Sequence, residues 1–479
     1  MLHRHDWVTP TLGGTPWLEK PPLYYWQAMI AYRVFGVSDW AARLPSACDA
    51  FLLVFAVYWF LRRFRRGSDL DGASAVAVAA GVVGYARAAS MDMPLAITFT
   101  TALLAWFAWF ESLEQKYLAA FWGLLALAML AKGPVAPLLA AIILGLFATL
   151  RRNPRALVGT MWLPGIAVFL AIGLPWYIAV QFRNPQFFRV FILEHNLARF
   201  GTNLYHHTEP FWYYLPVTFL GWMPWSVLVV AAIVWFARRI KADDSDQFNT
   251  FLLIWIAVLL VFFSGSQSKL PGYVLPAIPA GPILVSQWLR ERAAAQSSLV
   301  LATLHAVCAS ILLFPALMVR YLFLDRQNLS GRVALVPLIV TVGVAVTITL
   351  LVWRQGWRVL RVATLLPAIV VAAVLLRLGG ETMNDALSAR SVVEALSKYG
   401  HDHLPVAVYL VPRETEFGLA FYRDQVIPRY ELGKVPAGEH LLVAAQGYPN
   451  GVADAAGRKA TFLQNLPAQK LDLFYVPGK

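Results

Sequence analysis

Cysteine is nearly absent from this chain. Cys48 and Cys308 are the only two among 479 residues, and both lie in apolar segments. Two cysteines so far apart in sequence provide no disulfide framework and no cluster with the spacing of a zinc site. We therefore expect both to behave as small apolar side chains. Any metal ion would need histidine or carboxylate ligands instead.

Charge is also scarce, because Asp, Glu, Lys and Arg together make up 14% of the residues while 59% are hydrophobic. This composition excludes an ordinary soluble domain. A window of about 19 residues finds about twelve apolar runs, most of them long enough to cross a bilayer. We predict a polytopic α-helical membrane protein. The runs lie near 47–61, 72–87, 93–110, 118–131, 134–149, 157–178, 211–235, 248–264, 272–289, 297–320, 333–353 and 360–378.

Acidic residues are outnumbered, with 27 Asp and Glu against 40 Lys and Arg, for a net charge of +13. The excess sits in alternate loops between apolar runs, as expected for cytoplasmic loops of a plasma-membrane protein. This distribution argues against a nucleic-acid partner. It predicts that the basic loops are cytoplasmic and that the other loops, with the tail after about residue 380, face outward. The basic clusters are Arg62–Arg66, Arg151–Arg155, Arg238–Lys241, Arg290–Arg292 and Arg354–Arg361.

Polar motifs interrupt the apolar runs on the outward side. Structural charge would scatter over both surfaces, so this segregation indicates one active-site chamber. The short motifs are Leu18–Pro22, Ser90–Pro94, Ala131–Pro134 and Ser268–Tyr273, and a longer loop holds Glu194, His195, Arg199, His206 and His207.

The cations of these motifs suit an anionic substrate. Lys20, Lys132, Arg199 and Lys269 would together cradle a phosphate or pyrophosphate. The alternative is that each lysine merely extends toward water from the end of a span. Snorkelling lysines prefer the cytoplasmic face, however, whereas these lie on the other side.

Two carboxylates have possible catalytic roles. Glu19, stiffened by two following prolines, would form a divalent-metal site with a histidine, or else lies in a solvated turn. Asp92, at the mouth of a span, would act as a general base or pair with a cation such as Arg87. Its alternative role is to cap the helix that begins there, with Pro94 in the first turn.

The chain divides into three predicted segments. Residues 1–46 form an outward loop with interfacial helices, 47–379 the transmembrane domain, and 380–479 a small α/β domain outside the membrane. In that last segment, alternating apolar residues predict strands near 406–411, 417–422, 440–445 and 471–476, after a helix near 390–398.

The motifs in this order resemble a known family, the bacterial lipid-carrier-dependent glycosyltransferases of the GT-C class. This class includes the aminoarabinose transferase of lipid A and relatives of the protein O-mannosyltransferases. The resemblance extends over nearly the whole chain. It rests on Asp6-Trp7-Val8-Thr9-Pro10, Glu19-Lys20-Pro21-Pro22, Asp92-Met93-Pro94-Leu95, Ala131-Lys132-Gly133, Glu194-His195-Asn196, Arg199-Phe200, His207 with Pro210-Phe211-Trp212-Tyr213-Tyr214, and Ser268-Lys269-Leu270-Pro271 with Tyr273.

The resemblance implies an inverting transfer of a sugar from a polyprenyl-phosphate donor to a lipid, glycan or protein acceptor. It implies that Glu19 and His207 bind a divalent metal ion, such as zinc, magnesium or manganese. It places Lys20 near the lipid phosphate, and makes Lys132, Arg199, Lys269 and Tyr273 phosphate or pocket residues. Asp92 matches an acidic residue lining the family's cavity.

Family members carry a transmembrane helix and an Asp-Glu pair ahead of the segment that contains Asp6. The chain begins downstream of both, so we expect the full protein to have a thirteenth span with the family's leading candidate base. The rival functions are a transporter or flippase of lipid-linked sugars and an inactive lipid-carrier-binding homologue. Transporters place charge near the midplane of repeated halves, whereas here it lies at the outer mouths of the spans.

Overall fold

The computed structural model describes residues 1–198, 209–240, 246–292, 297–323, 331–400, 403–447 and 458–478. Two predicted site residues, Arg199 and His207, lie outside these ranges. The chain forms two compact units. The first contains Met1–Pro10, Pro16–Leu312 and Thr341–Val370, and the second contains Thr11–Thr15, Leu313–Val340 and Val371–Lys479.

The described structure is mainly helical. In chain order, the α-helices are α1 Leu23–Phe35, α2 Asp39–Phe64, α3 Asp69–Ala77, α4 Ala80–Ala86, α5 Asp92–Ser112, α6 Gln115–Lys132, α7 Val135–Leu150, α8 Pro154–Thr160, α9 Leu163–Arg183, α10 Tyr214–Trp222, α11 Ser226–Ala237, α12 Gln247–Ser264, α13 Ala280–Arg292, α14 Leu299–Ser310, α15 Leu313–Phe323, α16 Gly331–Gln355, α17 Leu360–Val374, α18 Gly380–Leu387, α19 Ala389–Ser397 and α20 Arg413–Arg423. Short 3₁₀ helices cover Pro271–Ala277, Trp357–Val359 and Tyr430–Leu432, and π-helical turns cover Phe188–Ala198 and Leu375–Gly379.

Seven helices in the described ranges are long and apolar enough to cross a membrane, and an eighth span is added if the bent pair α10 and α11, at 110°, counts as one. The chain is therefore a polytopic helical membrane protein. Four of the twelve predicted runs are not among these spans: 72–87, 134–149 and 272–289 correspond to shorter or interrupted helices, and 118–131 lies in the continuous 18-residue helix α6. The seven are Asp39–Phe64, Asp92–Ser112, Leu163–Arg183, Gln247–Ser264, Leu299–Leu322, Gly331–Gln355 and Trp357–Asn384.

The first unit packs its helices around α5, whose buried residues occupy every side of the helix. Trp106 and Phe107 are fully buried. The ring of Trp106 stacks on that of Phe251 from α12, with centroids 5.6 Å apart, and meets Phe147 from α7 edge-on at 5.8 Å. Such aromatic pairs add about 0.5–1.5 kcal/mol each beyond the area they bury. This core packs the C-terminal half of α5 against α7 and α12.

The second unit contains a four-stranded sheet with the strand order β3-β4-β6-β5. Its strands are β3 Val406–Tyr409, β4 His440–Ala445, β5 Thr461–Leu466 and β6 Leu471–Val476; a short hairpin, β1 Thr11–Leu12 and β2 Thr15–Pro16, lies near the chain start. Strands β3 and β4 run parallel, with Val406 opposite Leu441, and the other pairs are antiparallel. Alternate residues enter two apolar clusters, one on each face. This explains the continuous apolar character of β3 and β4.

One predicted strand is wrong. Residues 417–422 lie within the helix α20, Arg413–Arg423. Glu414 and Glu416 lie in its first turn, where negative charge favours a helix. Leu419 is buried in the cluster on one face of the sheet. A Cβ on Gly418 would stand 2.5 Å from the Cβ of Ala389, so this glycine allows α20 to pack closely on α19. The apolar residues of 417–422 therefore pack α20 against its neighbours and do not pair with another strand.

Candidate functional site

Asp92 is the first residue of α5, and its carboxylate forms an ion pair with the ammonium of Lys132 at the end of α6. The two side chains are only 19% and 14% exposed, respectively. The position before Asp92 is Met91, which makes no side-chain capping hydrogen bond. Asp92 therefore does not serve as the N-cap. It lies in the first turn, where the helix dipole favours a carboxylate.

Lys132 also contacts the third outward motif. Its ammonium lies 4.7 Å from the ring centroid of Tyr273, within the range of a cation–π interaction. Gly133 adopts φ 97°, a conformation suited to glycine, and this turn lets α7 begin immediately after α6. Asp92, Lys132 and Tyr273 thus meet although they are distant in sequence.

Gly272 makes this meeting possible. A Cβ at this position would stand 2.7 Å from both Cγ and Oδ1 of Asp92 and 2.8 Å from the hydroxyl oxygen of Tyr85. No residue with a side chain fits there without displacing one of these groups. Leu270–Tyr273 therefore approaches the Asp92 carboxylate through its backbone.

The segment that leads to Tyr273 is anchored by hydrogen bonds of two polar side chains, Lys269 and Tyr214. Lys269 is 7% exposed, and its ammonium donates a hydrogen bond of 2.6 Å to the Ser266 carbonyl oxygen. The hydroxyl of Tyr214 donates to the Leu270 carbonyl and accepts from the Leu270 N–H, each at 3.2 Å. Lys269 is therefore buried and hydrogen-bonded in the described structure. It precedes Tyr273 by four residues along the chain.

A second pair of polar side chains joins the first loop to the π-helical segment Phe188–Ala198. Nε2 of His195 lies 3.5 Å from Oε1 of Glu19, with the side chains 8% and 25% exposed. Burial, followed by the negative charge of Glu19, raises the pKa of the nearby Tyr25. Lys20 is the next residue along the chain. The structure thus pairs Glu19 with a histidine, His195; the predicted partner His207 lies outside the described residues.

We tested whether these residues would hold a divalent ion. Within the described part of the chain, no three His, Cys, Asp or Glu side chains come together as metal ligands. Glu19 and His195 supply one oxygen and one nitrogen donor, a chemically suitable but incomplete set. The metal site therefore stays a prediction.

Asp6, in the Asp-Trp-Val-Thr-Pro segment, has a structural role. Its carboxylate accepts hydrogen bonds from the backbone N–H of Val8 at 2.9 Å and of Thr9 at 3.2 Å, and pairs with Arg183 at 2.9 Å. Burial alone would raise the pKa of Asp6, but the two backbone donors and Arg183 outweigh it and lower that pKa. This carboxylate holds the first loop against α9 and stays ionised.

Sequence reasoning assigned no role to three residues that make specific contacts in the structure. Tyr85 and Gly272 meet Asp92, and Asp49 accepts two hydrogen bonds, of 3.0 and 3.1 Å, from the Gln27 side-chain amide. Asp49 carried a usable signal, because an acidic residue inside an apolar run is rare and tends to be functional. Tyr85 and Gly272 carried none, since a tyrosine near a span end and a glycine in a turn are both ordinary.

An apolar cavity of about 340 Å³ adjoins the cluster through Tyr85 and Pro271. It lies between α4, α10 and the short helix Pro271–Ala277, and its other walls include Gly81, Val217 and Ile278. A volume of this size accommodates part of a hydrocarbon chain or a small apolar group. The charged cluster therefore has an apolar compartment beside it.

The fold and this cluster define a class of protein. Residues 19–178 match the model of a family described as dolichyl-phosphate-mannose-protein mannosyltransferase, a range that contains Glu19, Lys20, Asp92 and Lys132. The crystal structure of ArnT from Cupriavidus metallidurans bound to undecaprenyl phosphate superposes with a TM-score of 0.78, covering 99% of this chain and 91% of that one at 21% sequence identity. The chain therefore has the fold of that GT-C glycosyltransferase.

Two curated relatives make the resemblance more specific. An undecaprenyl phosphate-alpha-4-amino-4-deoxy-L-arabinose arabinosyl transferase of Pseudomonas fluorescens (strain Pf0-1) is 29% identical over 307 residues, which are 61% of this chain and 52% of that protein. One from Sodalis glossinidius (strain morsitans) is 30% identical over 331 residues, covering 66% and 58%. The alignments thus span little more than half of these relatives. They confirm the resemblance of this chain to lipid-carrier-dependent glycosyltransferases, specifically to the aminoarabinosyl transferase type.

Proposed function

We propose that this protein is an inverting glycosyltransferase that moves a pentose, 4-amino-4-deoxy-L-arabinose, from undecaprenyl phosphate to an acceptor. The observation that carries the proposal is the partly buried Asp92–Lys132 pair, which meets Tyr273 and Gly272, in a chain with the fold of such a transferase. The acceptor is a lipid, glycan or protein, and lipid A is the first candidate.

The cluster suits the charge changes of this reaction. In an inverting transfer, an acceptor oxygen attacks the anomeric carbon while the bond to the carrier phosphate breaks, so negative charge grows on the phosphate. Lys132, held in place by Asp92 and the Tyr273 ring, supplies a fixed positive charge. We propose Lys20, Arg199 and Lys269 as further phosphate-binding residues.

Asp92 is our candidate for the group that interacts with the acceptor proton. Its carboxylate lies at the mouth of the span beside Lys132, where an acceptor hydroxyl could approach it. We propose that Glu19 and His207, with His195 beside Glu19, bind a divalent ion such as zinc, magnesium or manganese. Such an ion would supply further positive charge near the phosphate.

The apolar cavity supports the choice of a lipid-linked donor. Its wall residues Tyr85 and Pro271 adjoin Gly272, so a hydrocarbon segment there would place its polar end close to Asp92. A transporter or flippase would need no such convergence of a carboxylate with an ammonium at a span mouth.

A transfer assay tests the function. The full chain in detergent would be incubated with undecaprenyl-phosphate aminoarabinose and lipid A, and the product detected by mass spectrometry. We expect lipid A to gain one aminoarabinose residue, and Asp92→Asn or Glu19→Ala to lower the rate by at least about 10²-fold. The exposed Arg354→Gln variant, in the last turn of α16, serves as a matched control. Absence of product with intact carrier binding would leave the lipid-binding alternative.

We also propose the topology: twelve spans, with the site and residues 380–479 on the outer, periplasmic side, as the basic loops predict. Single cysteines placed in a chain lacking Cys48 and Cys308 test it. A membrane-impermeant maleimide added to intact spheroplasts should label Thr15→Cys but label Arg66→Cys only after permeabilisation. The reverse pattern would overturn the orientation.

A further inference from the structure

A row of exposed aromatic side chains runs along α2 toward its C-terminal end. Phe51, Phe55 and Trp59 are 71%, 55% and 47% exposed. They are spaced four residues apart, which places them on one face of the helix. Because α2 is one of the helices long enough to span the membrane, this face is suited to contact with hydrocarbon chains.

The aromatic row ends at a basic pocket. Trp59, Arg62, Arg63 and Arg66 line a cavity of about 430 Å³. Arg62 and Arg63 follow Trp59 by three and four residues, so they continue the same face, and Arg66 comes just after the helix. From Phe51 to Arg63 the helix rises about 18 Å, close to the length of an extended acyl chain.

Two of the three arginines in this pocket form no ion pair with an acidic residue that the structure describes. Arg62 pairs with Asp69 at 3.2 Å, and the nearby acid Glu114 pairs with Lys116 at 2.5 Å. Arg63 and Arg66 are exposed and have no acidic partner among the residues that the structure describes. The guanidinium of Arg63 lies over the Phe64 ring, 5.7 Å from its centroid. The pocket therefore carries two guanidinium groups without a counter-ion from the described chain.

This pocket is separate from the candidate active site. Arg65 forms an ion pair with Glu111 at 2.5 Å, which fixes the end of α2 beside the end of α5. Asp92 begins α5, and the 21 residues of that helix span about 30 Å. The basic pocket thus lies at the opposite end of the helix from the Asp92–Lys132 pair.

We propose that this pocket binds the head group of an anionic phospholipid, whose acyl chain lies along Phe51, Phe55 and Trp59. Two guanidinium groups offer bidentate donors to a phosphate, and each cation near an anionic lipid surface strengthens binding by a factor of about five. Free phosphate would gain the same polar contacts but none from the aromatic row. A phospholipid contacts the guanidinium groups with its phosphate and the aromatic row with its acyl chain.

Lipid retention by the full chain tests the proposal. Protein purified in detergent would be mixed with micelles containing phosphatidylcholine alone or with phosphatidylglycerol, and bound lipid counted by native mass spectrometry. We expect retained phosphatidylglycerol on the wild type and about thirty-fold weaker binding to Arg63→Gln/Arg66→Gln. The control Arg354→Gln/Arg358→Gln removes the same charge from another exposed basic cluster, at the end of α16 and in the short helix Trp357–Val359, and should bind like the wild type.

Two further measurements make the result decisive. Arg63→Lys/Arg66→Lys keeps the charge and should retain most of the binding; a loss as complete as in the glutamine variant would contradict a role for charge. Inorganic phosphate at millimolar concentration should not displace the lipid, and equal competition would assign the pocket to free phosphate. Equal retention by the Arg63→Gln/Arg66→Gln variant and its control would also overturn the proposal.

Discussion

The two ends of α5 differ in how they hold charge. At the start of the helix, Asp92 and Lys132 form a pair in which both side chains are less than one-fifth exposed. Just beyond its other end, Lys116 pairs with Glu114, with side chains 65% and 39% exposed. Burying two charges is costly unless each is neutralised by its partner, whereas exposed pairs contribute little. Partial burial alone does not set the first end apart, because Arg65 and Glu111 at the other end are only 16% and 30% exposed. What sets it apart is that Asp92 and Lys132 meet Tyr273 and the backbone of Gly272 there.

The largest expected effect comes from breaking the partly buried Asp92–Lys132 pair. Lys132→Met leaves the Asp92 carboxylate without its cation, and we expect the free energy of unfolding to fall by about 3 kcal/mol. Transfer should fall by more than about 10²-fold if the proposed function holds. Thermal unfolding in detergent, together with the transfer assay, measures both.

The double variant Asp92→Asn/Lys132→Met separates stability from chemistry. Removing both charges should recover most of the lost stability, because no unpaired charge stays buried, but it should not restore transfer. A double variant as unstable as Lys132→Met would show that the pair matters through packing rather than charge.

Gly272→Ala tests the close approach to Asp92. The added methyl group would stand 2.7 Å from the carboxylate, so the backbone or the ion pair must shift, and overpacking of this kind costs about 1–3 kcal/mol. We expect a lower unfolding midpoint and weaker transfer. Gly84→Ala is the matched control, since a Cβ there meets nothing within 4 Å. Equal behaviour of the two variants would refute the steric argument.

His440 extends the comparison to a buried group outside the spans. It is fully buried in β4, where Nδ1 lies 2.9 Å from the Gly438 carbonyl and Nε2 contacts the Tyr430 hydroxyl. Burial, and then the charge of Arg458, lower the pKa of His440. Below a pH of about 6.5 the unfolded chain binds a proton that the folded protein disfavours, so stability is full above this pH and falls as the pH decreases.

We therefore expect His440→Asn to reduce the loss of stability between pH 7.5 and 5.5, because asparagine does not titrate and can still donate to Gly438. Unfolding midpoints of the full chain across this range provide the measurement. An unchanged pH dependence in the variant would exclude His440 as its source.

The smallest effect should follow from Lys116→Met, at the exposed end of the comparison. The exposed pair with Glu114 is solvated, and its loss should leave the unfolding midpoint and transfer unchanged within error. A loss comparable to that of Lys132→Met would remove the distinction between the two ends of α5.

The sequence by itself determined the membrane class, because long apolar runs and alternating basic loops are one-dimensional properties. The order of the motifs was also enough to indicate the family resemblance. The same motifs contain the candidate residues Asp92, Lys132 and Tyr273. Several helices, strands β3, β4 and β6 and the helix α19 lie where apolar periodicity placed them. The helix Arg413–Arg423 was missed because its short apolar run suited either a strand or a helix packed on α19.

Only the tertiary structure decided which of these residues meet. Lys132 is 40 positions from Asp92, and Tyr273 is further still, so no local pattern encodes their contacts. The same holds for Gly272 against Asp92, for Glu19 beside His195, and for the buried state of Lys269. Sequence spacing determines which residues are neighbours only within one helix or strand. Contacts between residues far apart in sequence depend on how the helices pack, and these contacts determine the geometry of the site.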